Sequence, residues 1–140
     1  MPHEGTVTVR VRYPEVDRMG IAHHRNHFVW FEIGRTELMR DRGLTYAAIE
    51  AQGVFLPVIE AACSYHAPAK YDELLRVRTT LRTLGAVRAT FAYRLERESD
   101  GRLIATGTTV HAAVDREGRP RRLPSPRRGS RTAPGRRGCR

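Results

Sequence analysis

Cysteine is scarce in this chain. Cys63 and Cys139 are the only two, and their separation matches neither a metal-binding nor a redox spacing. Cys63 falls in an apolar strand pattern and is expected in the core. No apolar run is long enough to span a bilayer. The first residues lack the charged-then-apolar pattern of a secretory leader. These absences make a reducing, cytoplasmic location the expectation. There is no internal repeat, and no RNP, zinc-finger or Gly-rich phosphate-binding motif. Lysine is reduced to Lys70 alone, so the formal net charge of +10 is an arginine charge.

That charge is unevenly placed. Residues 1–115 carry 14 Arg and one Lys against 14 acidic residues, whereas residues 116–140 carry 10 Arg and one Glu. The basicity belongs to the tail, and the body is nearly neutral. Residues 125–140 are dense in Arg, Pro and Gly and have too few apolar side chains to offset chain entropy, so a disordered tail is expected. Its plain role is a solvated tail. The alternative is a weak electrostatic contact with nucleic acid or another polyanion. The remaining 1–124 suit one domain with a real core.

The body is organised around residues 13–42. Phe28, Val29, Trp30, Phe31 and Ile33 make the first half of a helical pattern apolar on nearly every side, so another element must wrap it. Asn26 is the expected N-cap. The helix should run to about Arg42 and stop at Gly43, about 25 Å in all. Gly34 inside it marks close packing against a neighbour. Before the helix, Val7, Val9, Val11 and Tyr13 alternate with polar residues, which predicts a half-buried strand over 6–13 that Pro14 ends. After it, 45–52 reads as a short second helix. Strands follow over 54–67, 74–84, 87–97 and 102–114, with Gly107 as a candidate bulge. Ser99-Asp100-Gly101 is a strong hairpin turn. Short connections imply antiparallel pairing. The expected class is α+β: a five-stranded antiparallel sheet wrapped around one long central helix.

The chemistry-bearing residues gather between strand and helix. Asp17 lies in the loop, Gly20 permits close approach of another group, and His23, His24 and His27 crowd the helix start. Helix N-terminal N–H groups can polarise a carbonyl, and a nearby carboxylate can act as nucleophile or general base. Such a set could hydrolyse an ester or thioester with neither a metal nor a serine nucleophile. Two plainer readings stand beside it: Asp17 as a loop or capping residue, and the histidines as polar residues at a helix end or as metal ligands.

The run Tyr13-Pro14-Glu15-Val16-Asp17, Gly20-Ile21-Ala22-His23-His24, Asn26-His27-Phe28, then Phe31-Glu32 and Arg35-Thr36-Glu37, resembles the signature of hotdog-fold acyl-CoA thioesterases. The nearest branch is the 4-hydroxybenzoyl-CoA thioesterase type that includes the Tol-Pal-associated enzymes. Tyr65-x-Ala67-Pro68-Ala69, Asp72, Arg119-Pro120 and Leu123-Pro124 fit as well, so the resemblance covers about residues 6–124. It implies a hotdog fold, acyl-CoA hydrolysis, no cofactor beyond the CoA of the substrate, and no metal. It implies a homodimer or a dimer of dimers, with sites at the subunit interface. By position, Asp17 matches the catalytic carboxylate, His24 the helix-start histidine and Tyr13 the tyrosine four residues before the aspartate.

Gly20, His23, Asn26 and His27 are the expected substrate-side neighbours, and Arg76, Arg78 and Arg88 are candidates for the CoA phosphates. Glu32 and Arg35 are expected to pair at i, i+3. His23, His27 and Met19 depart from residues common in the family, all at the acyl pocket. The alternatives are a hotdog dehydratase or hydratase, which uses a different motif, and a non-catalytic acyl-CoA-binding hotdog protein.

Overall fold

A computed structural model of the chain describes residues 4–123. The tail expected at 125–140 lies outside the described residues. The first strand, β1 (Glu4–Arg10), keeps the alternating pattern read from the sequence but ends earlier. Pro14 starts a single 3-10 turn over Tyr13–Glu15, because its fixed φ suits the beginning of a helical turn. Tyr13 is thereby taken out of the strand and left 75% exposed. Glu15 closes the turn: its Oε1 accepts from the Arg12 N–H at 2.7 Å and its Oε2 from the Arg12 guanidinium at 3.2 Å.

The long helix is α1 (Asn26–Asp41), and Gly43 past its end takes φ +75°, as a C-terminal glycine should. Gly34 faces β3 at the crossing. A methyl group there would strike Thr79 Oγ1 and lie 2.7 Å from Val77 Cγ1, so glycine is what lets the helix approach. A short helix, α2 (Tyr46–Ala51), follows, with the Thr45 hydroxyl accepting from the Ala48 N–H at 3.2 Å. The remaining strands are β2 (Val58–Tyr65), β3 (Leu74–Leu84), β4 (Arg88–Arg97) and β5 (Leu103–Ala112). Pro57 delays β2 relative to the expected 54–67.

All pairings are antiparallel, in the order β1-β3-β4-β5-β2. Val77, Phe91, Tyr93 and Leu95 face inward with Trp30, Phe31 and Leu38 of α1, and together they form the core. Gly107 is not a bulge, since its register runs without a shift; the irregularities fall at Val58/Glu60, Leu81/Thr83 and Leu95/Glu96. It is glycine because the Phe31 ring rests on it. The sheet covers only part of α1. Val29 and Ile33 remain exposed, as do Val58 and Ile59 on β2, an edge strand of which only Cys63 is even half-buried.

Arg35 does not pair with Glu32. It turns inward, where burying its charge needs acceptors, and donates from Nε to Tyr46 Oη at 2.7 Å and from Nη1 to Tyr93 Oη at 3.1 Å. Tyr93 Oη lies 2.6 Å from Thr109 Oγ1, which lies 2.9 Å from His111 Nε2; His111 Nδ1 is 3.0 Å from the Leu56 carbonyl. The two ends fix every direction. Arginine only donates and a carbonyl only accepts, so Tyr93 donates to Thr109, Thr109 to His111 Nε2, and His111 Nδ1–H to Leu56.

Burial holds the His111 pKa below its usual value, the Arg35 charge adds to that, and the bond to Leu56 opposes it. A base with a lowered folded pKa contributes stability that is fully present above the unfolded value, about 6.5, and is lost as pH falls through the folded value. The melting temperature should therefore fall as pH drops below about 6.5. His111→Asn, which cannot titrate, should lower the melting temperature at pH 8 and flatten that slope. An unchanged slope in calorimetry would assign the acid sensitivity to other groups, His27 first.

Candidate active site

The loop before α1 is held by backbone bonds at several points. The His23 N–H donates to the Glu15 carbonyl at 2.8 Å, the Ala22 N–H to Ala69 at 2.8 Å, and the Tyr71 N–H to Gly20 at 3.0 Å. Gly20 takes φ +78°, which closes the turn. Asn26 is not the N-cap. That position is Arg25, without a side-chain cap, and Asn26 is the first residue of the helix. Its buried side chain reaches back instead, donating to the Glu15 carbonyl at 2.9 Å and the His23 carbonyl at 3.1 Å. A helix-start asparagine can cap forward or staple backward, and the sequence looks the same in both cases.

Asp17 sits exposed at the turn. One oxygen, Oδ1, accepts from the Met19 N–H at 2.8 Å and from the Ile21 N–H at 3.1 Å. These bonds orient the carboxylate, and Oδ2 has no acceptor role among the described residues. The three histidines separate in function. His23 Nδ1 accepts from the Arg25 N–H at 3.2 Å, and its ring stacks on His24 with centroids 4.2 Å apart. His27 is buried, and its Nδ1 donates to the His24 carbonyl at 3.0 Å. Burial pushes the His27 pKa down, the backbone bond to His24 opposes this, and the nearby His24 charge adds to it. His27 is thus held neutral, with Nε2 as a bare acceptor. Among the described residues no group of three His, Cys, Asp or Glu side chains converges in metal-binding geometry.

Tyr65, at the end of β2, belongs to the motif read from the sequence, but its place at the site was not expected. Its hydroxyl donates to the His24 carbonyl at 3.1 Å, and its ring meets His27 edge-on at 4.7 Å. Its signal was an aromatic on an otherwise small-residue strand end, next to the Ala67-Pro68-Ala69 turn. An open groove of about 330 Å³ lies here, lined by Ile21, His24, His27, Tyr65, His66 and the Ala67–Ala69 turn. Among the described residues the His24 N–H has no acceptor. The structure thus brings His24 and His27 together at one groove. Asp17, Gly20 and His23 belong to the adjoining loop, and Asn26 opens α1. Tyr13 stands on the surface with its ring edge-on to Tyr71. Arg76 and Arg78 lie on the sheet face opposite α1, and Arg88 opens β4, so none of the three joins this groove.

Residues 11–134 match the thioesterase-like superfamily. The chain belongs to that superfamily. Its sequence is 36% identical over 115 residues to YneP of Bacillus subtilis, a protein assigned only provisionally as an acyl-CoA thioesterase, covering 82% of this chain and 83% of YneP. It is 27% identical to the acyl-CoA thioester hydrolase YbgC of Escherichia coli O157:H7, over 83% of this chain and 87% of YbgC. The DHNA-CoA thioesterase of Staphylococcus aureus superposes with a TM-score of 0.81 at 28% identity, over 96% of this chain and 86% of that one. The fold is the hotdog fold of these thioesterases, and the class of enzyme is thioester hydrolase. Among the described residues no helix is long and apolar enough to cross a membrane.

Proposed function

We propose that this thioesterase-superfamily chain hydrolyses acyl-CoA to a free carboxylic acid and CoA, with Asp17 as the catalytic carboxylate. The observation that carries this reading is the Asp17 carboxylate itself: one oxygen is pinned by two backbone N–H groups and the other is left free, in the loop that feeds the start of α1. As general base, the free oxygen takes a proton from water; the water oxygen bonds to the thioester carbon, the C–S bond breaks, and CoA leaves as the thiol after taking up a proton. As nucleophile, the same oxygen attacks the thioester carbon, the C–S bond breaks and CoA leaves as the thiol after taking up a proton; water then hydrolyses the anhydride so formed, releasing the free acid and restoring the carboxylate. The unpaired His24 N–H, at the positive end of α1, suits the developing oxyanion. Asn26 fixes the peptide that carries it, its backbone N–H and side-chain amide both donating to the His23 carbonyl of that peptide, at 3.0 and 3.1 Å, while Tyr65 and His27 hold the carbonyl of the next peptide.

The acting unit in this reading is a homodimer, with a dimer of dimers as its larger form. β2 has a free edge, and Val58 and Ile59 on it, with Val29 and Ile33 on α1, leave apolar surface uncovered. Pairing of two β2 edges would cover it and wall in a groove that one chain leaves open. CoA is part of the substrate and the reaction takes no other cofactor. A reducing compartment such as the cytoplasm fits a chain with two cysteines.

The test is thiol release, followed with a thiol-reactive dye, from short-chain, long-chain, benzoyl and 4-hydroxybenzoyl-CoA. Turnover of at least one by the folded oligomer is expected, and the best substrate names the acyl class. Silence across the panel by a folded oligomer would overturn the reading in favour of an acyl-CoA-binding protein.

A further inference from the structure

The sheet face turned away from α1 carries a groove of about 420 Å³ whose shape follows from the register. Thr80, Ala92, Thr108 and Ala62 stand in one row across β3, β4, β5 and β2. The next row begins with Arg78 opposite Arg94 and continues into Thr106 and Ser64. Small side chains beside tall ones make a trough across four strands, about 14 Å long at the usual strand spacing. That size falls within the range of small-molecule sites.

The charges do not balance. Arg78 and Arg94 are directly opposed like charges, an arrangement that disfavours a sheet unless an anion intervenes. Glu96 supplies one. Its Oε2 accepts from Arg94 Nε at 2.6 Å and its Oε1 from Arg78 Nε at 3.0 Å, and Arg76 Nε lies 4.0 Å from the same Oε1. Both carboxylate oxygens are thus engaged, and three guanidinium groups share one negative charge. Each of these bonds uses Nε, which leaves the forked Nη ends of Arg78 and Arg94 for a further acceptor. Arg78 and Arg94 are half-exposed at the groove wall, so their donors can be reached from solvent.

We propose that this groove binds a phosphorylated nucleoside, with its phosphates over Arg78 and Arg94 and its base on the row of Ala92, Thr108 and Ala62. A planar heterocycle suits that floor of methyl-bearing side chains, and the Ser64 hydroxyl can serve the sugar, with Thr80 Oγ1, which already donates to Glu4, left to accept. Glu4, paired opposite Thr80, puts a negative charge at the β1 end, which turns away a polyanion running on past the sheet edge. Two copies of this face would oppose arginine to arginine, so a second copy is a poor occupant.

Titration calorimetry with ADP, with inorganic pyrophosphate and with CoA tests it. ADP should bind the full chain at one site per protomer, more tightly than pyrophosphate. Arg94→Gln, which leaves Glu96 its other arginines, should weaken ADP about tenfold. Ala92→Phe, which fills the trough and removes no charge, should abolish binding. Asp17→Asn should leave it unchanged. ADP binding untouched by Arg94→Gln and Ala92→Phe, or no binding at all, would overturn the proposal. Equal affinity for pyrophosphate would remove the nucleoside from it. Displacement of ADP by CoA one for one would make the groove part of the substrate site rather than a second one.

Discussion

Asp17→Asn should lower acyl-CoA turnover by roughly a thousandfold while the protein stays folded and still binds substrate. The side chain has two separable jobs. Oδ1 organises the turn through the Met19 and Ile21 N–H groups, and the asparagine carbonyl can accept both of those bonds. The other oxygen becomes an amide nitrogen, which can neither take a proton from water nor attack a thioester. The substitution therefore keeps the loop and removes the chemistry. Asp17→Ala removes both, and should also cost about 1 kcal/mol of stability through the two orphaned N–H groups. Comparing the pair by thiol release and thermal unfolding separates the roles. Wild-type turnover in Asp17→Asn would reduce Asp17 to a turn residue and sink the proposed mechanism.

Gly107→Ala should be among the most damaging single-methyl changes in the fold. Gly107 lies between Tyr93 and Cys63 across the sheet, and the Phe31 ring stacks on Tyr93 with centroids 4.5 Å apart. A methyl group on Gly107 would strike Phe31 Cε2 and lie 2.7 Å from the Ala62 carbonyl oxygen. The ring is fully buried under α1 and the carbonyl is backbone, so neither can swing away as a flexible side chain would. The expected loss is about 2–3 kcal/mol, read as a melting point lower by about 10 °C. A shift under about 2 °C would mean that α1 can lift off β5 with little cost.

These two residues also mark how far the sequence could be read. Asp17 and the helix start were legible because a carboxylate, a glycine and a histidine cluster before an apolar helix are local features. Element types were legible for the same reason, since alternation and helical period are set by residues close in the chain. What needs a distant partner was not. Arg35 is matched by spacing to Glu32, three residues away on the helix face, whereas its acceptors, Tyr46 and Tyr93, come from α2 and β4. Gly107 suggested a bulge because nothing in β5 announces the Phe31 ring. Tyr13 continued a clean alternation, and only the Pro14 turn and the Glu15 side chain, folded back onto Arg12, ended it early. Tyr65 was visible as a motif residue, but its role depends on His24, 41 positions away.

The strand order has a consequence for the newborn chain. β3, β4 and β5 are neighbours in sequence as well as in space, so they can pair as soon as they leave the ribosome. β1 and α1 are made long before β3, on which both must lie, and β2 is made long before β5, its sole partner in the sheet. The half of the chain that carries Asp17 and the histidines therefore emerges first, with β1 and α1 able to meet each other but not the sheet that both must lie on. It takes shape only when the meander behind it is complete, which makes a chain stalled before β5 the form most exposed to misassembly.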